Sequence, residues 1–81
     1  MFNILLLEDD ELFASTVEDF LTEEGFEVDI ASDGEECLEL NFKKNYDLYI
    51  FDINVPKING LELLEQLRTS GDNTPSIFLT S

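Results

Sequence analysis

Four short apolar runs of strand length alternate with three segments of helical periodicity, and that alternation constrains this chain more than any other feature. The runs are FNILLLE (2–8), FEVDIA (26–31), YDLYIFD (46–52) and PSIFLTS (75–81), the last opened by a proline. The first is continuously apolar, the second alternates apolar and polar residues, and the third is rich in β-formers. Between them, Phe13, Val17, Phe20 and Leu21 fall at i, i+4, i+7 and i+8. This spacing predicts one apolar stripe on a helix over about 10–24, with Gly25 at the glycine cap. Asp33 followed three residues later by Glu36 predicts a capping-box-like start for a second helix through about Lys44. Lys43 and Lys44 then fall in its last turn, where cations favour the macrodipole. Asn59 with Glu62 predicts a third helix, lined by Leu61, Leu64 and Leu67 and followed by Gly71.

Strands alternating with helices of this length imply right-handed crossovers and a parallel sheet, hence a doubly wound α/β fold. The nearly all-apolar first and third strands read as central, covered on both faces, and the mixed second as an edge. There is no internal repeat and no low-complexity linker. Eighty-one residues make one domain, and no helix follows the fourth strand. We therefore expect a single domain over 1–81 that is incomplete at its C-terminus.

Charge narrows the partners. Nineteen acidic residues face four basic ones, a net charge of −15, and no basic residue precedes Lys43. Such a surface disfavours direct binding to nucleic acid phosphates. It favours a basic protein patch or a metal cation. Cys37 is the sole cysteine, so no internal disulfide can form; it reads as a small core residue in a reducing compartment. The opening MFNILLLEDD has only a short apolar run, no basic flank and acid directly after it. It reads as neither signal peptide nor membrane span, and a soluble cytoplasmic protein without a membrane partner is expected.

In an open parallel sheet, ligands bind outside the carboxyl ends of the strands. Glu8, Asp9 and Asp10 close the first strand, Asp52 the third, and Thr80 and Ser81 the fourth. If the first and third strands are neighbours, Glu8, Asp9 and Asp52 converge. Two such charges about 4 Å apart repel by roughly 4 kcal/mol at an effective dielectric of about 20. Three together require raised pKa values or a cation. Hard oxygen donors with no histidine select Mg²⁺, or Ca²⁺ or Mn²⁺, over zinc. Each group alone has an ordinary reading. Glu8 to Glu11 suit a solvated helix N-terminus, Asp52 a turn, Thr80 a strand end and Lys57 a solvated loop. Their shared placement at one sheet edge points to a site.

The segments ILLLEDD (4–10), YIFDINVPKINGLELLEQLR (49–68) and PSIFLTS (75–81) resemble the receiver domain of two-component response regulators, in that family's order and spacing over the whole chain. The resemblance implies a CheY-like, flavodoxin-like sheet of order 2-1-3-4-5. This chain would hold 2-1-3-4, with the fifth strand and last helices missing. It implies that Asp52 is the phosphoacceptor for a sensor histidine kinase. Asp9 would bind Mg²⁺ directly, Glu8 through water, and Asn54 through its backbone carbonyl. Pro56 and Gly60 match the family's loop, with Asn59 where Asp is common, and Thr80 matches the switch hydroxyl. An output domain or target protein would read the switch. The family's fifth-strand lysine and aromatic switch residue have no counterpart here.

Three rival readings fit less well. FDINV has the outline of a haloacid-dehalogenase-type phosphatase motif, but Asn54 stands where the leaving-group acid belongs. An EF-hand loop starting at Asp52 would need glycine where Lys57 stands. Glu8, Asp9 and Asp52 together argue against a phosphate-independent interaction domain for a longer parent protein, while for these 81 residues that reading stays open. Finally, the uncharged Ile77, Phe78 and Leu79 would form an unpaired edge, and a missing last helix would open one face of the first and third strands to water, with Ile4, Leu6 or Ile50 among the candidates. Both features predict that these residues self-associate, exchange elements or are the ordered part of a longer chain.

Overall fold

A computed structural model of the protein describes residues 1–79. Strand β1 (Asn3–Leu7) leads into helix α1 (Glu11–Glu23), and β2 (Glu27–Ala31) into α2 (Gly34–Lys43). Strand β3 (Leu48–Asp52), α3 (Gly60–Thr69) and β4 (Ser76–Leu79) follow. The strands form one parallel sheet of order β2-β1-β3-β4, the doubly wound arrangement expected from the alternation. No helix among the described residues is long and apolar enough to cross a membrane.

Successive strand side chains point to opposite faces, and β1 is apolar from Ile4 to Leu7 because both faces are covered there. On one face Leu5, Leu7, Tyr49 and Phe51 pack with Cys37 of α2 and Leu63 and Leu67 of α3. On the other, Ile4, Leu6 and Ile50 pack with Ala14 of α1, flanked by Val17 and Leu21. Ile4, Leu6 and Ile50 are therefore buried, against the expectation that they face water. Helix α1 already covers them. On β4, Ile77 is 52% exposed.

The second and third helix starts are capped by Asp33 and Asn59 as the sequence predicts, and Asp10 caps the first. The amides of Phe13, Glu36 and Glu62 donate to Asp10, Asp33 and Asn59 at 3.1, 2.9 and 2.9 Å. In the second cap the Glu36 carboxylate accepts from the Ser32 amide at 2.7 Å, one residue before the position that a full capping box uses.

Three helix details differ from the sequence reading. The buried stripe of α1 is Ala14, Val17 and Leu21, while Phe13 and Phe20 are 45% and 63% exposed. Val17 and Leu21 belong to both possible stripes, and small Ala14 lets the helix approach the sheet. On α3 the inward residues are Leu63 and Leu67, with Leu64 at the flank and Leu61 turned outward. Lys44 has left the helix for extended backbone. Its Nζ lies 3.1 Å from Asp29 and 3.4 Å from Glu27. Two carboxylates on the edge strand outweigh one helix dipole.

Opposite the strand ends that carry the acids, a polar knot ties α3 and its following loop to β3. The Tyr49 hydroxyl donates to Asp72 and lies 3.0 Å from Asn41 Oδ1. Asp72 Oδ1 accepts from the Thr74 amide at 2.9 Å and the Thr74 hydroxyl at 2.6 Å, and Arg68 donates to the Asp72 carbonyl at 2.9 Å. Burial pushes the Tyr49 phenol up to about 12. Burial also raises the Asp72 carboxyl, but the hydrogen bonds from Thr74 and Tyr49 outweigh it and hold the group below its usual range.

Asp72→Ala is expected to cost about 1–3 kcal/mol at neutral pH, because the Thr74 amide and hydroxyl lose their shared acceptor and the Tyr49 hydroxyl keeps only Asn41. The folded-state carboxyl is the stronger acid. Its contribution is therefore complete above the ordinary carboxylate range and lost as pH falls through the depressed value. Urea unfolding of mutant and wild type should give a gap that narrows in acid; a gap independent of pH contradicts this role.

Candidate acidic site at the strand ends

The register places the acids. Leu7 pairs with Phe51, so the next residues, Glu8 and Asp52, end neighbouring strands at the same level. The Glu8 amide donates to the Ala31 carbonyl at 2.9 Å and holds the β1 exit against β2. There the chain turns into α1. The Asp10 amide donates to Glu8 Oε2 at 3.0 Å, while the Asp10 carboxylate caps the helix. Asp9, between them, is left exposed at the mouth. Asp52 is the last residue of β3, and its Oδ1 accepts from the Asn54 amide at 3.0 Å as the loop turns.

Glu8 and Asp52 are only 5% and 4% exposed. Carboxylate oxygens of Glu8, Asp9 and Asp52 all lie within 4.8 Å of one another. They line an open cavity of about 600 Å³ together with Asp10, Phe13, Asn54 and Leu79. No ion pair among the described residues involves any of the three. Burial, with the charges of Asp52 and Asp9, pushes the Glu8 carboxyl above its usual range against the lowering hydrogen bond from the Asp10 amide. Three anionic oxygens this close, two of them shielded from water, form a donor set that a small hard dication satisfies.

The loop that follows is held close. The Gly60 amide donates to the Ile53 carbonyl at 3.1 Å. A Cβ at Gly60 would collide with the Asp52 main chain, so only glycine lets α3 start here. Glu8, Asp9 and Asp52 thus meet as the sequence suggests, and Asn54 lines the same cavity. Thr80 lies outside the described residues. The sequence reading missed Phe13, assigned there to the core, and Leu79 as apolar walls of the cavity. Phe13 was discoverable in part: it sits in the first turn after an acidic strand end. Lys57 is not simply solvated but pairs with Asp33 and Glu35.

A family model described as the response regulator receiver domain matches residues 4–81. The chain belongs to that family. The response regulator ArlR of Staphylococcus epidermidis is 44% identical over 81 residues, covering all of this chain and 36% of that protein. This receiver chain thus spans about a third of the length of the curated relatives it matches. The receiver domain of the Francisella response regulator 1452 superposes with a TM-score of 0.95 at 34% identity, over 99% of this chain and 66% of the other. The response regulator TrrA of Thermotoga maritima, solved in complex with Mg²⁺-BeF, is 40% identical with a TM-score of 0.92. That match covers 99% of this chain and 70% of TrrA. TrrA has also been solved in complex with the histidine kinase ThkA; there it matches with a TM-score of 0.91 over all of this chain and 70% of TrrA. This chain is a two-component receiver domain, and its four strands fall in the CheY-like order.

Proposed function

We propose that Asp52 is the phosphoacceptor of this receiver domain, that a sensor histidine kinase supplies the phosphoryl group, and that Mg²⁺ is held by Glu8, Asp9, Asp52 and the Asn54 backbone carbonyl. The observation that carries this reading is the set of three converging carboxylates, without a cationic partner among the described residues, at the carboxyl ends of adjacent parallel strands. The Mg²⁺-BeF bound to TrrA and its complex with ThkA support the same chemistry for a relative of this chain.

An oxygen of the Asp52 carboxylate attacks phosphorus. The bond from phosphorus to the donor breaks, its electron pair leaves with the donor, and an acyl phosphate forms on Asp52. Mg²⁺, when bound, supplies neutralisation of the phosphoryl oxygens, which otherwise repel an anionic nucleophile. The Asn54 amide orients Asp52. Glu8 and Asp9 contribute charge that selects a cation for the site. Thr80, one residue beyond Leu79, which pairs with Asp52 across the sheet, is assigned as the switch hydroxyl. An output domain or target protein in the cytoplasm would read the phosphorylated state. The net charge of −15 favours basic protein surfaces over nucleic acid for these contacts.

The test is to treat the full-length protein with acetyl phosphate and Mg²⁺, then map the label by mass spectrometry. The expected label is sensitive to hydroxylamine and confined to the peptide carrying Asp52. A hydroxylamine-resistant label, a label elsewhere, or sustained turnover of a phosphomonoester contradicts the assignment.

A further inference from the structure

The loop between β3 and α3 presents Asn54 to the acidic cavity, yet its far side is tied to α2. Lys57 adopts a φ of +71°, the one left-handed non-glycine conformation among the described residues. Its Nζ lies 3.2 Å from Glu35 Oε2 and 3.7 Å from Asp33 Oδ2. The Gly34 amide donates to the Pro56 carbonyl at 3.5 Å. A Cβ at Gly34 would stand 2.6 Å from both the Cβ and the carbonyl oxygen of Ile58. Three consecutive loop residues, Pro56, Lys57 and Ile58, therefore meet the start of α2. A long side chain does not favour left-handed backbone. Such a conformation persists where its surroundings over-determine it, and it clusters at functional sites.

We propose that Lys57 is a positioning residue for the acidic site. Clamped to Asp33 and Glu35, it holds the loop so that the main chain of Asn54 faces Glu8, Asp9 and Asp52. This rests on the reading of Asn54 as a Mg²⁺ ligand. Lys57 and Glu35 are half exposed or more, and such pairs contribute little to stability. Melting temperature is therefore the wrong readout, and metal affinity the right one.

The sign of the effect separates this role from a plain charge effect. Loss of a cation near an acidic cavity should tighten Mg²⁺ binding by Coulomb's law. Loss of a clamp should weaken it. Calorimetric titration of the full-length protein with Mg²⁺ is expected to show roughly three- to tenfold weaker binding in Lys57→Ala, less than the about 10–100-fold typical of groups bonded directly to a metal ligand. Lys57→Arg should restore most of the affinity, since it keeps the cation and its reach. The metal-free melting temperatures of both variants should stay close to wild type.

Unchanged or tighter binding in Lys57→Ala overturns the clamp, and so does a Lys57→Arg as weak as Lys57→Ala. Asp9→Asn is the control. If it binds Mg²⁺ as well as wild type, or if wild type does not bind, the metal site itself falls and the clamp with it. If Asp9→Asn loses binding while Lys57→Ala keeps it, the clamp alone falls.

Discussion

Without metal, Asp52→Asn is expected to melt above the wild type, and to lose both the Mg²⁺ response and the capacity to accept phosphate. Asp52 is 4% exposed and shares a 4.8 Å neighbourhood with Glu8 and Asp9. Each like-charged pair at about this separation repels by roughly 3–4 kcal/mol at an effective dielectric of about 20. Part of that is already relieved, because the Glu8 carboxyl is raised by burial and by its neighbours. A net gain of about 1 kcal/mol for the asparagine variant is therefore reasonable, roughly 4–8 °C for a domain of this size. Asparagine keeps an oxygen that can accept from the Asn54 amide, so the turn after β3 need not change. Wild type should overtake the variant as Mg²⁺ is added, since saturation at about 100 Kd contributes about 2.7 kcal/mol. Acetyl phosphate should label wild type alone. Thermal melts in chelator and in Mg²⁺ decide the matter. A metal-free Asp52→Asn that melts below wild type would mean that the cluster is not under electrostatic strain.

The placement of these acids was legible because it follows from two short-range facts. Apolar runs at regular spacing imply parallel strands, and an acid directly after such a run lies at a strand's carboxyl end. Their convergence needed one fact more, that the first and third strands are neighbours, which the resemblance implied and the sheet order bears out. What the sequence hid was set by packing between distant segments. The phase of α1 was ambiguous because Val17 and Leu21 serve either stripe, and only the fit of Ala14 on the sheet decides it. Lys44 follows its helix, but its partners Glu27 and Asp29 lie on a strand 17 and 15 residues away. Lys57 likewise reaches Glu35, 22 residues earlier. The burial of Ile4, Leu6 and Ile50 was misjudged because α1 was not assigned to their face, and that burial removes one of the two reasons for expecting self-association. Local patterns placed the chemistry; long-range contacts decided which surfaces were free.

Gly60→Ala tests whether the start of α3 positions Asp52, and two effects oppose each other there. Alanine is the better helix former, by about 1 kcal/mol in a helix interior and less at a first position such as this. Against that, the added Cβ would lie 3.0 Å from the Asp52 carbonyl carbon and 3.3 Å from the Ile53 Cα, and closer still to the Asp52 carbonyl oxygen. These are backbone atoms, so no side-chain rotation relieves the contact. Either α3 retreats and the bond from the Gly60 amide to Ile53 lengthens, or the end of β3 shifts and takes the Asp52 carboxylate with it. Overpacking of this kind costs about 1–3 kcal/mol, so the steric effect wins. Net destabilisation of roughly 1–2 kcal/mol is expected, together with a labelling rate by acetyl phosphate well below wild type, since the nucleophile must be held in line. Leu61→Ala is the control: its side chain is 52% exposed, and its stability should stay within about 0.5 kcal/mol of wild type. Urea unfolding and a labelling time course on both variants measure the two effects separately. If Gly60→Ala gains the helix propensity and phosphorylates normally, α3 does not constrain Asp52, and the rigidity assigned to the loop base is wrong.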